Sequence, residues 1–468
     1  MKRAPSLAAL FAIVAMLPVA SVGAATDSRP ASGFHVPVEY HRLGNGLRVV
    51  LSRDTTAPKT VLAVYYNIGF RIEPRDRTGF AHLFEHMMFQ GSENLGKMEF
   101  IRLVQSNGGV LNGSTRFDFT NYFEIVPSNT LETVLWAEAD RMRGLAINEE
   151  NLKNQQAVVE NEVKVNILNR PYGGFPWLDM PQYANTNWFN AHNFYGDFKD
   201  LDAATLADVK SFFQTYYTPN NAALVVTGDF DPAQTLAWIE KYFGKIPSSP
   251  RPPQPDVSEP RQEKEKRASK PDRLATRPAL AVGYHAPRQN TPEYYAMGLL
   301  NQILLQGKDS SLYQALVQRN GLTGNVEGGI NELGNMFNIH GPILWTASLY
   351  YDSDKSADQI LKVFDQEIER VRSAPVDKET LNRALVKMRS SLYDDLEQLY
   401  GFGRADLLAS FALFDDDPGR INRIEEEFRK VTPALLQKTA QEYLRASNRT
   451  VLLIEPKAET KTKEKTGS

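Results

Sequence analysis

An internal repeat is the feature that most constrains the fold of this chain. The strand-like segment VLAVYYNIGF leads into the helical segment FAHLFEHMMFQG, and ALAVGYHAP leads in the same way into AMGLLNQILLQG. Gly91 and Gly307 end the two helical segments, 216 positions apart. A second match joins YYTPNNAALVVTG to YLRASNRTVLLIE, each a helix end, a turn and a hydrophobic strand. We therefore expect two copies of one α+β unit of about 200 residues.

The length of the chain, 468 residues, also favours two domains, because one hydrophobic core rarely serves so many residues. The expected fold class is α+β, with two homologous α/β-sandwich domains at 33–246 and 274–456. The segment between them, 247–273, is rich in proline and charge and lacks hydrophobic periodicity, so we interpret it as a linker. The tail at 457–468 is expected to be disordered for the same reason.

The N-terminus, 1–25, has the pattern of a secretory signal peptide. Lys2 and Arg3 precede an apolar run over 7–17 and then a series of small residues. The apolar run is short for a membrane span, so we expect cleavage and no stable anchor. The chain has no cysteine, which excludes disulfides, thiolate metal sites and a cysteine nucleophile. These features favour a periplasmic protein, and a net charge of −3 gives no reason to expect nucleic acid as a partner.

The segment GFAHLFEHMMFQGS contains the pattern H-x-x-E-H. Helical spacing turns His82 and His86 onto one face, with Glu85 on nearly the same side. Burying these groups without partners would cost several kcal/mol, a cost that a bound metal would offset, and the pattern is the inverted zincin signature. The second copy of the repeat keeps the apolar pattern but has Gly298, Asn301 and Gln302 at these places. The three ionisable residues are therefore expected to serve chemistry rather than folding.

A catalytic zinc site needs a third protein ligand and an open position for water. The other histidines are isolated in the sequence and are interpreted as structural or surface residues: His35, His41, His192, His285 and His340. A carboxylate is the better candidate. Glu162 has valines at its helical neighbours −4, −3 and +3, whereas Glu160 lies on a more solvated face. We therefore expect Glu162 to be the ligand, with Glu160 as the alternative.

These motifs resemble the pitrilysin/insulinase (M16) family of zinc metallopeptidases, in particular its short two-domain branch, which includes the mitochondrial processing peptidase and bacterial relatives. The segments that carry the resemblance, besides H-x-x-E-H, are NGSTRFDFTNYFEIVP, LWAEADRM, NEVKVNILNRPYG and YYTPNNAALVVTGDFDP. The resemblance implies one Zn²⁺ per chain, held by His82, His86 and Glu162. It implies an endopeptidase for unfolded or short peptides, with Glu85 as the general base for the attacking water. An inactive scaffold or peptide-binding subunit is the alternative.

The resemblance also implies roles for residues near the ligands. Many relatives have a glutamate seven residues before the ligand glutamate; here Gln155 stands at that place and is expected to orient a ligand by hydrogen bonding. The segment from Asn112 alternates polar and aromatic residues and predicts one amphipathic strand. In the family the corresponding strand pairs with extended substrate. The expected peptide-binding residues are therefore Asn112, Gly113, Ser114 and Thr115.

The last implication concerns a partner. Self-sufficient relatives carry an arginine and a tyrosine in a second-copy segment of the type LRxxxGLxY. The matching segment here is LVQRNGLTG, with Val317 and Gly324 at those two places and Arg319 two residues out of register. We therefore expect a heterodimer in which a homologous subunit without the zinc motif supplies the arginine and the tyrosine.

Overall fold

The computed structural model describes residues 35–456. The signal peptide expected at 1–25 and the tail expected at 457–468 lie outside these residues. The strands of the first half are β1 (Glu39–Arg42), β2 (Arg48–Arg53), β3 (Lys59–Tyr66), β4 (Val110–Thr115), β5 (Thr120–Pro127) and β6 (Ala222–Gly228). Those of the second half are β7 (Lys266–Asp272), β8 (Ala279–His285), β9 (Glu327–Ile330), β10 (Leu344–Tyr350) and β11 (Arg449–Pro456).

The two sheets have the same topology. The first has the strand order β1-β2-β6-β3-β5-β4, and the second has β7-β11-β8-β10-β9. Each contains one parallel pair, β2 with β6 and β7 with β11, and the remaining pairs are antiparallel. Strand β1 is the one addition in the first sheet. The predicted α+β fold with two related halves is therefore confirmed.

Helices flank both sheets. In the first half they are α1 (Phe80–Met87), α2 (Glu99–Ser106), α3 (Leu131–Arg143), α4 (Glu149–Val163), α5 (Asp179–Ala184), α6 (Trp188–Ala191), α7 (Phe198–Asp202), α8 (Leu206–Tyr216) and α9 (Pro232–Phe243). In the second half they are α10 (Pro292–Leu304), α11 (Ser311–Tyr313), α12 (Ala357–Ser373), α13 (Lys378–Phe414, kinked at 398–401), α14 (Ile424–Arg429) and α15 (Pro433–Tyr443). Within 35–456, no helix has the length and apolar character required to cross a membrane.

The faces of the first sheet are covered from two different halves of the chain. Successive residues of β3 point to opposite faces. Val64 and Tyr66 pack against α1, α3, α8 and α9, whereas Tyr65 belongs to the cluster that contains the second part of α13. The ring of Phe123 stacks on Phe402 of α13 with centroids 3.9 Å apart. Conversely, α5 of the first half packs on the second sheet, with Met180 fully buried there. Each half thus covers the other's sheet.

The segment expected to be a linker, 247–273, is partly ordered into the second sheet. Lys266–Asp272 forms the edge strand β7, paired in parallel with β11. Upstream, the carboxylate of Glu259 accepts hydrogen bonds from the backbone N–H groups of Thr186 and Asn187. The expectation of a linker throughout was therefore wrong for 266–272. An edge strand is held by main-chain hydrogen bonds along one side, so it forms without the apolar run that a central strand needs.

Candidate active site

Helix α1 carries the H-x-x-E-H motif and begins at a glycine. Gly79 has φ of 83°, and a Cβ there would lie 2.6 Å from the carbonyl oxygen of Tyr195, so both its conformation and its close contact favour glycine. The apolar side of α1 is buried under the first sheet. His82, 4% exposed, and the half-buried His86 lie one turn apart on the side that faces α4.

Helix α4 brings a carboxylate to these two histidines. Its first turn is capped by Asn148, whose side chain accepts from the backbone N–H of Asn151 at 2.9 Å. At its other end, Glu162 Oε1 lies 3.6 Å from His82 Nε2, and Glu162 Oε2 lies 3.2 Å from His86 Nε2. One donor atom from each of these three residues lies within 4.8 Å of the other two, a spacing that could hold a metal ion.

Glu160, the alternative ligand, lies away from the cluster. It forms an ion pair with Lys164 at 2.7 Å, which lowers the pKa of Glu160. Residues four apart on a helix share a face, and that face of α4 is turned toward α7. The structure therefore brings Glu162, and not Glu160, to the two histidines.

The protonation states of the cluster suit metal binding. Burial lowers the pKa of His82 to about 4, with His86 adding to the effect and Glu162 opposing it. A hydrogen bond from His86 lowers the pKa of Glu162. At neutral pH, His82 is therefore a neutral imidazole and Glu162 a carboxylate. Metal ligands need deprotonated nitrogen and oxygen atoms, so these are the required forms.

Glu85 lies beside the cluster but is bound by another group. Its Oε2 accepts a hydrogen bond of 2.8 Å from the hydroxyl of Thr115, at the end of β4. Burial raises the pKa of Glu85, and the Thr115 hydrogen bond opposes that rise. Gly113 leaves room for this arrangement, because a Cβ there would lie 3.3 Å from Glu85 Cγ. Glu85 is thus a half-buried carboxyl group placed to exchange a proton next to the cluster.

Two family profiles match this chain in separate regions. The profile described as Insulinase (Peptidase family M16) matches residues 48–171, which contain the whole cluster. The profile described as Peptidase M16 inactive domain matches residues 203–388. The chain belongs to the M16 family.

Individual similar proteins support this family assignment. The zinc protease PqqE of Helicobacter pylori is 25% identical, over 88% of this chain and 92% of that protein. The solved structure of a protease from Helicobacter pylori has a TM-score of 0.83 at 24% identity, over 90% of this chain and 100% of that chain. The periplasmic protease PqqL from Escherichia coli has a TM-score of 0.72 at 17% identity, over 89% of this chain and 47% of that chain. The solved structures share its fold.

The segment expected to bind peptide forms the edge of the first sheet. Strand β4 comes last in the strand order, so one of its sides is not covered by a neighbouring strand of that sheet. The hydroxyl of Ser114 donates to Asn121 of the paired strand, and that of Thr115 donates to Glu85. The backbone N–H of Gly113 donates to Asn112 Oδ1 at 2.9 Å, so these three bonds already engage part of the strand.

The expectation of one amphipathic strand from Asn112 onward was wrong. The chain reverses between β4 and β5, where the N–H of Arg116 donates to the carbonyl oxygen of Phe119 at 2.8 Å. Asp118 in this turn accepts from the side chain of Arg71 at 2.6 Å and from the backbone N–H of His340 at 2.8 Å. Alternation persists across a tight hairpin, so it did not reveal the break.

Two other expected features are placed as follows. Gln155 is buried on α4, and its amide nitrogen donates to Asn154 Oδ1 at 2.7 Å rather than to a ligand residue. Arg319 donates to Glu367 at 2.6 Å. Its guanidinium group is therefore bound within the second half. A Cβ at Gly324 would meet no atom within 4 Å, so the backbone there leaves room for a β-carbon.

Sequence reasoning missed two parts of this M16 site. The ring of Tyr195 lies edge-on to His82 with centroids 5.0 Å apart, and burial raises the pKa of Tyr195 to about 12, with Glu162 and Glu85 adding to the rise. No local motif marks this tyrosine. Glu73 contacts the first turn of α1. A signal for Glu73 existed, because the repeat places Gln289 at its equivalent position.

Proposed function

We propose that this chain is a zinc-dependent endopeptidase that hydrolyses unfolded or short peptides, with one Zn²⁺ held by His82, His86 and Glu162. The observation that supports this best is the meeting of two imidazoles and one carboxylate beside a separate carboxyl group, Glu85. Two nitrogens and one oxygen fit zinc, which in catalytic sites takes three protein ligands and keeps one position open. Metal storage alone would give Glu85 no role.

The chemistry divides between the metal and the chain. When bound, zinc polarises the scissile carbonyl and a water molecule. Glu85 accepts the proton that the attacking water loses and delivers it to the leaving amine. Its raised pKa suits both transfers, and the hydrogen bond from Thr115 fixes one oxygen of the carboxylate.

We further propose that substrate pairs with β4 over Asn112, Gly113, Ser114 and Thr115. An edge strand offers unpaired N–H and C=O groups, which bind an extended peptide without regard to its side chains. The end of β4 is joined to Glu85 through Thr115, so a peptide paired there would pass beside the general base. This mode of binding requires an unfolded substrate segment.

The proposed location is the periplasm, reached through a signal peptide at 1–25. The pattern of charge, apolar run and small residues supports this, and the structural neighbour PqqL is a periplasmic protease. N-terminal sequencing of periplasmic protein is expected to begin near residue 25. Recovery of intact Met1 in membranes would contradict it.

The proposed working form is a heterodimer with a homologous subunit that lacks the zinc motif. The absence of an arginine at Val317 and of a tyrosine at Gly324, together with the Arg319–Glu367 ion pair, supports an incomplete site. The partner would supply charge-stabilising contacts for the tetrahedral transition state. We expect strong activation on mixing with such a subunit. Full activity of the isolated chain, unchanged by the partner, would reject this part.

The metal and the activity can be tested together. We expect about one zinc per chain, and cleavage of a quenched fluorescent peptide that is lost on chelation and restored by Zn²⁺. Glu162→Ala is expected to lose the metal, whereas Glu160→Ala, which removes the neighbouring carboxylate on the same helix, is expected to retain it. Retention in Glu162→Ala would contradict the ligand set. Bound metal and peptide without any cleavage, alone or with the partner, would favour the peptide-binding subunit.

A further inference from the structure

The first turn of α1 is held by a residue outside the helix. Its N-cap, Gly79, offers no side chain. Instead the carboxylate of Glu73, which is fully buried, accepts from the backbone N–H of Gly79 at 2.9 Å and of Ala81 at 2.5 Å. A carboxylate satisfies the free N–H groups at a helix start and is favoured by the helix dipole. The next residue along the helix is the ligand His82.

Glu73 is in turn accompanied by a buried histidine. His192 Nε2 lies 3.8 Å from Glu73 Oε2. The same nitrogen lies 2.8 Å from the carbonyl oxygen of Phe70, and Nδ1 lies 3.0 Å from that of Trp188. Both ring nitrogens of His192 thus lie against carbonyl oxygens, and Nε2 also lies beside the Glu73 carboxylate.

The two residues depend on each other. Burial raises the pKa of Glu73, while His192 and the N–H groups of Ala81 and Gly79 oppose that rise. Removing the His192 ring would take a partner from a buried carboxyl group, and a lost partner costs more there than at an exposed group. The surrounding rings fix the geometry further, since His192 stacks on Trp188 with centroids 4.2 Å apart.

The second half begins its equivalent helix in another way. Gln289 stands 216 positions after Glu73, and its amide side chain lies against the hydroxyl of Tyr294. Helix α10 is capped locally by Thr291, whose hydroxyl accepts from the N–H of Tyr294. A local cap therefore suffices for a helix without ligands. The carboxylate at position 73 is replaced in the second half together with the three groups of the motif.

We infer that Glu73 and His192 form a positioning pair that fixes the first turn of α1, so that His82 is held in the orientation in which it meets Glu162. Neither residue belongs to the cluster of possible ligands, and the inference rests on the proposed function because the orientation matters through the metal. Partners that orient a ligand contribute strongly to metal affinity. Here the orienting contact is made with the main chain next to the ligand rather than with its ring.

The test compares Zn²⁺ affinity among four forms of the purified chain, measured by competition with a chromophoric chelator. The forms are wild type, Glu73→Gln, His192→Phe and Thr291→Ala. Glu73→Gln installs the residue of the second half and is expected to weaken Zn²⁺ binding about 10-fold or more. His192→Phe keeps the stacked ring without its donors and should do the same. Thr291→Ala removes the cap of α10 and should lower Tm while leaving affinity within twofold.

Further readouts separate a positioning role from a merely structural one. Co²⁺ bound in place of zinc should show altered d–d bands in Glu73→Gln and His192→Phe but not in Thr291→Ala. Unchanged affinity and cobalt spectra in folded Glu73→Gln, or in His192→Phe if the former does not fold, would overturn the inference. Failure of the wild type to bind Zn²⁺ would instead overturn the proposed function, and this inference with it.

Discussion

The two halves hold the same elements at equivalent places but fill them differently. In the first half, α1, β4 and α4 surround the two histidines, Glu162 and Glu85. In the second half, Asn301 of α10, Gly329 of β9 and Asp395 of α13 line a cavity of about 530 Å³. Asn301, at the place of Glu85, accepts a hydrogen bond from Trp345 Nε1 at 2.8 Å. The scaffold of the second half therefore forms without the ionisable cluster, so folding does not require it.

The sharpest test of this comparison changes Glu85 and its counterpart. Glu85→Gln keeps the shape but removes the proton acceptor, so kcat is expected to fall about 10³-fold with zinc retained. Asn301→Ala should leave kcat within twofold and cost about 1 kcal/mol of stability through the lost hydrogen bond to Trp345. Peptide cleavage, metal content and denaturant unfolding measure the three quantities. Equal losses of activity in both variants would end the distinction between the halves.

Much of this arrangement could be predicted from the sequence because its signals lie in residues that are close together in the chain. The helical spacing of His82, Glu85 and His86 was sufficient to place the motif on one face. The argument for Glu162 from its apolar neighbours does not hold in the fold, because Val158 and Val165 are exposed, although Glu162 does lie at the two histidines. The repeat predicted two related α+β halves. Each of these signals depends on residues close together or on a fixed offset.

The rest depends on contacts that are distant in sequence. Strand β7 is stabilised by pairing with β11, about 180 residues later, and carries no apolar run of its own. The kink of α13 places Leu399 and Tyr400 in left-handed conformations, and of the kinked residues Gly401 alone favours that conformation by its type. The Glu73–His192 pair joins residues 119 positions apart. Such pairings become visible when the fold is known.

The packing of α5, a helix of the first half, on the second sheet can be disrupted at Met180. This side chain is fully buried against the second sheet, and its Sδ lies 3.0 Å from the position of a Cβ on Gly283. Met180→Ala is expected to lower the free energy of unfolding by about 3 kcal/mol, because it leaves a cavity between the halves. Val386→Ala, at a side chain 68% exposed, should change it by less than about 0.5 kcal/mol. A separate unfolding transition for each half would contradict a shared core.

A smaller effect is expected at the end of the edge strand. β4 ends in Thr115, which donates to Glu85, whereas β9 of the second half ends in the buried Ile330. Thr115→Val keeps the shape and removes a hydrogen bond to a carboxylate, so kcat/KM is expected to fall about 10-fold. Thr120→Val on the paired strand loses its bond to the Ile68 carbonyl oxygen and does not touch Glu85. Loss of activity in both variants alike would assign the effect to the strand and not to Glu85.

The smallest expected effect concerns one carboxylate in each half, Glu162 on α4 and Asp395 on α13. A hydrogen bond from His86 lowers the pKa of Glu162, whereas burial raises the pKa of Asp395 to about 6, with Asp406 and Asp394 adding to the rise. The folded-state pKa of Asp395 lies above its ordinary value, so its contribution to stability is present at low pH and is lost as pH rises toward 6.

Asp395→Asn tests this by removing the charge. We expect it to raise the free energy of unfolding by about 1 kcal/mol at pH 7.5, a figure reduced for solvent screening because Asp395 is only partly buried. The gain should become small near pH 3.5, where the carboxyl group is neutral in the folded state and mostly neutral in the unfolded state. Asp394→Asn, at the exposed neighbour, should show a smaller dependence on pH. An equal gain in the free energy of unfolding at both pH values would show that the charge of Asp395 does not cause it. The second-half cavity would then tolerate a charge as readily as the first half tolerates Glu162, and the two halves would not differ electrostatically.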